Sequence, residues 1–274
     1  MIVAIASGKG GTGKTLVATN LFWTLQHRQI PVTLVDCDAE EPNVGEFFSG
    51  NPDDSFEVTQ HIPVIDPEKC IWCGNCFEYC NYNAIVYLPD TRFIQVVETL
   101  CHDCGACVAA CASGAITEKE KKIGTVTYNW INSHASIVTG CTEVGVASPV
   151  SVIKRAIREA AGKEFTLLDS PPGISCPFIA TVNQADYVVL VTEPTPFGLH
   201  DLRLSVDTLK ELGKPFGVIV NRAGLGNRDV YHYLKSEQIS LLAEIPMDRE
   251  IARIYSEGGI IAESILEYRK TFLQ

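Results

Sequence analysis

The stretch Gly8-Lys9-Gly10-Gly11-Thr12-Gly13-Lys14-Thr15 constrains this 274-residue chain more than any other feature. It fits G-x-x-x-x-G-K-[ST], a pattern that carries weight only between a strand and a helix. Both flanks are legible. IVAIAS, residues 2–7, is an apolar run of strand length, and Leu16, Val17, Leu21, Phe22 and Leu25 recur at helical spacing. At such a turn the backbone N–H groups of Gly8, Gly10, Gly11, Thr12 and Gly13 can wrap phosphate oxygens, with the positive end of a helix behind them. Lys14 then reaches the outer phosphates and the Thr15 hydroxyl ligates magnesium. The expected cofactors are ATP or ADP and Mg2+.

Five more apolar runs follow: VTLVDCDAEEPN (32–43), FTLLDSPPG (165–173), DYVVLVTEP (186–194), PFGVIVNR (215–222) and ISLLAEIP (239–246). Helical stretches separate the last four. This alternation predicts an α/β fold, a doubly wound, mostly parallel sheet with helices on both faces. Ligands bind such sheets at the carboxyl edge, which is where Asp38 and Asp169 fall. Asp169 suits an outer-shell place on magnesium, and Asp38 suits orienting the attacking water. Phosphoryl transfer asks mainly for positioning and charge neutralisation.

The general loop pattern does not require Lys9. With it, the loop resembles the deviant Walker A of the MinD/ParA/nitrogenase-iron-protein ATPases. That resemblance implies that Lys9 crosses a dimer interface to the partner's nucleotide, so the catalytic set becomes Lys9, Lys14, Asp38 and Asp169. It implies a first switch holding Asp36, Asp38, Pro42 and Asn43, with Asp36 joining Thr15 and Asp169 around magnesium, directly or through water. It also implies that Asn221, followed by Arg222, reads adenine, and that Pro246 and Asp248 of IPMD lie on the adenine side. A homodimer around ATP is expected, or a heterodimer with a related ATPase.

Eleven cysteines without an export signal point away from disulfides, because the cytosol keeps thiols reduced. Eight form an internal repeat: Cys70, Cys73, Cys76 and Cys80 recur, at identical spacing, as Cys101, Cys104, Cys107 and Cys111. Gly74 recurs as Gly105, and Ala84-Ile85 as Ala115-Ile116. C-x-x-C-x-x-C-x-x-x-C lets three thiolates wrap one cluster while the fourth serves the other. Doubled, it predicts two 4Fe-4S clusters, one on Cys70, Cys73, Cys76 and Cys111, the other on Cys101, Cys104, Cys107 and Cys80. A zinc site would ask for C-x-x-C pairs at longer spacing. The region resembles the bacterial two-cluster ferredoxin, although Asn81 and Ala112 stand where a proline usually follows the fourth cysteine. The expected organisation is an ATPase domain in two parts, 1–58 and 123–274, around an inserted α+β ferredoxin-like domain at 59–122. GNPDDS (50–55) reads as a turn-rich exit and TEKEKK (117–122) as a charged return.

Three cysteines remain. Cys37 reads as packing. Cys141 precedes the FTLLD strand that ends at Asp169, and Cys176 follows shortly after DSPPG. These spacings are similar to those of the nitrogenase iron protein, in which two cysteines per subunit share a cluster across the dimer axis. They are candidates for a third metal site shared by a dimer. Pro149 places the next helix start after it.

The net charge of -11 disfavours nucleic-acid binding, which needs a basic face, and stable attachment to anionic lipid. The tail IIAESILEYRKTFLQ has helical periodicity, with too few basic residues for a membrane anchor. A cytoplasmic protein is expected. The pairing of motifs suggests ATP hydrolysis coupled to electron transfer with a partner protein. Two alternatives stand beside it: an ATP-dependent iron-sulfur or other metallocluster carrier, and a positioning ATPase with structural clusters.

Overall fold

The computed structural model describes residues 1–48, 50–160, 162 and 164–272. Its strands are β1 (Ile2–Ala6), β2 (Val32–Asp36), β3 (Asn51–Ile65), β4 (Ile85–Leu88), β5 (Phe93–Val96), β6 (Ile116–Trp130), β7 (Ala135–Thr142), β8 (Phe165–Asp169), β9 (Tyr187–Thr192), β10 (Phe216–Ala223) and β11 (Leu241–Pro246). Its helices are α1 (Lys14–His27), α2 (Asn75–Glu78), α3 (Ala106–Ala109), α4 (Val150–Glu159), α5 (Cys176–Val182), α6 (Pro196–Glu211), α7 (Asp229–Ser236), α8 (Arg249–Ser256), α9 (Ile261–Ser264) and α10 (Leu266–Thr271). The chain forms two compact units, one of residues 1–56, 126–141 and 150–274, the other of 57–125 and 142–149. The segment 142–149, expected in the ATPase part, thus belongs to the second unit.

The first unit is built on a sheet ordered β11-β10-β9-β1-β8-β2-β7-β6-β3. From β11 to β7 every neighbouring pair is parallel. Such a sheet must be covered on both faces, which explains why its strands are apolar runs without alternation. Val3, Ile5, Leu34 and Leu167 share a core with Leu16, Val17 and Phe22 of α1. Ala4, Leu168 and Val188 are equally buried but lie outside that core, so strand alternation turns them to the opposite face. There α4 packs on β2, α5 on β1 and α6 on β9.

Thr195 caps α6, its hydroxyl accepting from Gly198 N at 3.0 Å, and Pro196 takes the first helical position. The tail divides at Ile265 into α9 and α10, with Ile260, Ile261, Ala262 and Phe272 buried; Leu273 and Gln274 lie outside the described residues. Among the described residues no helix is long and apolar enough to cross a membrane.

In the second unit, β4 and β5 pair antiparallel, joining Ile85 to Val96 and Leu88 to Phe93. The sequence repeat is a repeat of backbone. Helix α3 begins and ends at the twins of the residues that bound α2, and the left-handed residues Trp72, Gly74 and Asn83 recur as Asp103, Gly105 and Gly114. Asp66 N donates to Ala115 O at 2.8 Å and its twin Val97 N to Ala84 O at 2.7 Å, so each half closes on the other.

Residues 51–55 open β3 and 117–122 lie within β6, so neither segment is the connecting loop expected of it. The charged run tolerates a strand because partners distant in sequence meet it: Lys119 and Lys121 reach Glu98 at 2.6 and 3.0 Å, and Lys122 reaches Glu57 and Glu143, each at 3.3 Å.

Candidate nucleotide and metal sites

The phosphate loop joins β1 to α1 at the carboxyl edge of the sheet. Gly13 precedes α1 at φ 99°, left-handed backbone that disfavours any side chain, and a Cβ there would collide with the Asn221 amide. Lys14 is buried at 7 % exposure. Burial pushes its pKa down, while Asp169 and Asp38 act to raise it, which places both carboxylates within electrostatic reach of the ammonium.

Strand register sets Asp36 directly beside Asp169. Burial raises both carboxyls above their ordinary range; the Asp36 charge raises Asp169 further, and that of Asp38 does the same for Asp36. Their surroundings differ. Asp169 Oδ2 accepts the Thr15 hydroxyl at 2.7 Å, whereas its buried Oδ1 has no hydrogen-bond partner. A buried carboxyl oxygen without a partner, beside a hydroxyl and a second carboxyl that are costly to ionise together without a cation, fits a hydrated divalent cation. Asp36 is already engaged: Oδ1 accepts from Asp38 N at 3.1 Å, and Oδ2 from Asn43 N and Val44 N at 2.8 and 2.9 Å. It anchors the loop that carries Asp38, a task beside the magnesium contact expected of it directly or through water. Half-buried Asp38 has its carboxyl raised by burial, with Lys14 opposing.

Asn221 and Arg222 at the end of β10, Pro246 at the end of β11, and Gly11 and Gly13 line one open cleft of about 350 Å3. Met247, Ile251 and Tyr255 supply its apolar wall, and sequence reasoning missed all three. Burial raises the Tyr255 phenol, whose ring packs at a tilt of 35° against Phe47, centroids 5.0 Å apart. The Asn221 amide is used within the chain: Nδ2 donates to Thr12 O at 2.7 Å, and Oδ1 accepts from Arg222 N at 2.9 Å. In this arrangement Asn221 braces the phosphate loop with one N–H while lining the cleft, so the amide keeps a second N–H and a second lone pair. Lys9, expected to reach only a partner, also has a task in the single chain, because its Nζ lies 3.5 Å from Glu193 Oε2.

In the second unit the eight cysteines divide between two cavities. One is lined by Cys70, Cys73, Cys76 and Cys111, the other by Cys101, Cys104, Cys107 and Cys80. Each therefore takes three thiols from one motif and the fourth from its twin. Among the described residues no three His, Cys, Asp or Glu side chains converge tightly enough to hold a single metal ion. Ile85 and Ile116 form a small core with Cys76 between the two motifs. Burial pushes the Cys76 thiol up and that of Cys107 up to about 11, and neighbouring cysteines add to both shifts. Four sulfurs around one space repel as thiolates unless cationic iron sits among them, so donor set and cavities fit a 4Fe-4S cluster each.

The chain matches the CobQ/CobB/MinD/ParA nucleotide binding domain over residues 3–261. It belongs to that family. An uncharacterized protein of Methanocaldococcus jannaschii is 29 % identical over 272 residues, covering 98 % of this chain and 92 % of the relative. An iron-sulfur cluster carrier protein of Pyrococcus furiosus is 25 % identical over 282 residues, covering 94 % and 77 %. The septum site-determining protein MinD from Pyrococcus horikoshii, solved with Mg-ADP, superposes with a TM-score of 0.61 at 22 % identity over 99 % of this chain and 92 % of that one. This last likeness is one of fold.

The remaining three cysteines belong to the first unit. Cys37 is fully buried, its thiol raised by burial first and by Asp36 next, as befits packing. Cys141, near the end of β7, and Cys176, the first residue of α5, are both exposed.

Proposed function

We propose that this protein is an ATP-dependent iron-sulfur cluster carrier whose duplicated unit is a two-cluster ferredoxin module. The observation that carries the reading is the pair of four-cysteine cavities, each taking three cysteines from one motif and the fourth from its twin, in a chain whose other unit sets Thr15 of the phosphate loop against Asp169. The iron-sulfur carrier among its relatives supports the same reading. Lys14 and the loop amides bind the phosphates, Thr15 and Asp169 hold magnesium, and Asp38 orients the water that attacks the terminal phosphorus. A partner's Lys9 adds its charge to the nucleotide in an ATP-bound dimer, and hydrolysis to ADP and phosphate dissolves that contact. Bound clusters supply one-electron chemistry at low potential. Cys141 and Cys176, both exposed, are the cysteines assigned in this reading to a transferable cluster shared by two subunits.

The test is anaerobic transfer from 55Fe-reconstituted protein to an apo-ferredoxin. MgATP should accelerate transfer over MgADP, and substitution of Cys141 or Cys176 should abolish the acceleration. Transfer indifferent to nucleotide would refute the carrier reading.

A second reading, ATP-coupled electron transfer to a partner protein, is favoured by the completeness of the two cages, which suits resident rather than travelling clusters. It predicts MgATP-dependent electron delivery without loss of iron.

A further inference from the structure

The two halves of the cysteine unit share one backbone, so each is a control for the other. Their surfaces differ systematically. Ile71, Phe77, Tyr79, Val86 and Leu88 of the first half are exposed apolar side chains, with Ile71, Tyr79 and Leu88 at 65, 61 and 52 %. Their twins in the second half are His102, Val108, Ala110, Thr117 and Lys119. Charge diverges at neighbouring places: Glu78 and Asp90 of the first half are matched by Ala109 and Lys121.

The scaffold demands none of this, because helix, left-handed corners and hydrogen bonds recur with either set. Exposed apolar side chains concentrated on one half of a duplicated unit mark a contact surface. Leu88 pairs across the hairpin with exposed Phe93, and Phe77 leans on Tyr87, their ring centroids 6.1 Å apart. Tyr87 in turn lines the cavity of Cys70, Cys73, Cys76 and Cys111. The apolar surface therefore continues from the hairpin to the wall of that cavity.

We infer that the first half is the docking face for a protein redox partner whose contact surface is apolar and rimmed by lysine or arginine. The inference rests on the reading that the cysteines hold clusters. The chemistry of the partner follows from the surface: apolar side chains to match Phe77, Tyr79 and Leu88, and cations to match Glu78 and Asp90. Lys69 does not cancel that charge, since it is paired with Asp66 at 3.2 Å; Arg92 offsets part of it. Cys70, Cys73, Cys76 and Cys111 would hold the cluster beside this face, which would take one electron from a low-potential one-electron donor and pass it to the partner's acceptor.

Ferric cytochrome c, whose haem edge is apolar and ringed by lysines, serves as probe. The iron-loaded chain is reduced with dithionite, freed of excess, and mixed with it by stopped flow; each electron gained converts ferric to ferrous haem. Phe77→Val with Tyr79→Ala, and separately Leu88→Lys, install the twin residues on a backbone that already tolerates them. Each should slow haem reduction by about ten-fold or more, the wild-type rate should fall as salt rises, and Lys119→Leu should leave it within about two-fold. Wild-type rates in both first-half variants, or equal slowing in Lys119→Leu, would overturn the inference while iron content stays intact. Sedimentation showing that these side chains close a dimer of this chain would overturn it too. A chain that takes up no iron would remove the cluster reading, and this face with it.

Discussion

Lys9 Nζ lies 3.5 Å from Glu193 Oε2, while Arg222 Nη1 holds the other oxygen of the same buried carboxylate at 2.7 Å. The lysine expected to serve a partner's nucleotide is thus held at home by a counter-ion that has a second cation in reserve. When Lys9 leaves, Glu193 is not left as an unpaired buried charge, which would cost several kcal/mol.

Glu193→Gln should therefore release Lys9 and let the ATP-bound dimer form at a several-fold lower protein concentration, as measured by analytical ultracentrifugation. Arg222→Ala should act in the opposite sense, because it leaves Lys9 as the only cation on Glu193. Equal effects of the two variants would contradict a latch.

The adjacent carboxyls of Asp36 and Asp169 predict a pH signature. Their folded pKa values are raised, so across the window from the unfolded value, about 4, up to the raised values, the native state holds protons that the unfolded chain has lost. Stability of the nucleotide-free protein should fall as pH rises through that window, and Mg-ADP should flatten the dependence. Asp169→Asn removes one charge: thermal melting of the free protein should rise at neutral pH, while hydrolysis falls by about 10^2-fold or more.

Interchanged ligands give Cys80→Ser an unusual expected outcome. Although Cys80 belongs to the first motif, its loss should empty the cavity of Cys101, Cys104 and Cys107, and iron should drop from about eight per chain to about four. Cys111→Ser should empty the other cavity. Loss of the first-motif cluster in Cys80→Ser would show that each motif serves itself.

Asn221→Ala separates bracing from base recognition. If the amide braces Thr12, the variant should lose about 1 to 2 kcal/mol of stability and weaken ATP and GTP binding alike. A selective loss of ATP over GTP, read by calorimetry, would restore the adenine role.

The nucleotide unit was legible because its parallel strands are buried on both faces and appear as apolar runs with turn residues at their ends. The phosphate loop and the cysteine repeat were legible because backbone chemistry and ligand spacing are local. What escaped was long-range. The charged residues 117–122 lie in a strand between β7 and β3, and Glu57, Glu98 and Glu143 meet their lysines from positions distant in sequence. The task of Lys9 likewise depends on Glu193, which follows a strand in the far half of the sequence. Asn221 and Asp36 were legible as ligand-contact residues, but the backbone groups they also hold are ones that no spacing rule reveals.

If the nucleotide cycle governs what the cysteine unit holds, the two must be coupled in a way that iron release can read. The direct measurement is anaerobic iron release from the fully reconstituted chain to a ferrous chelator, followed with MgATP, with MgADP, and in Lys14→Gln. Coupling predicts that MgATP changes the release rate several-fold over MgADP and that Lys14→Gln abolishes the difference. Identical release under all three conditions, from protein that hydrolyses ATP and carries about eight irons per chain, would contradict it.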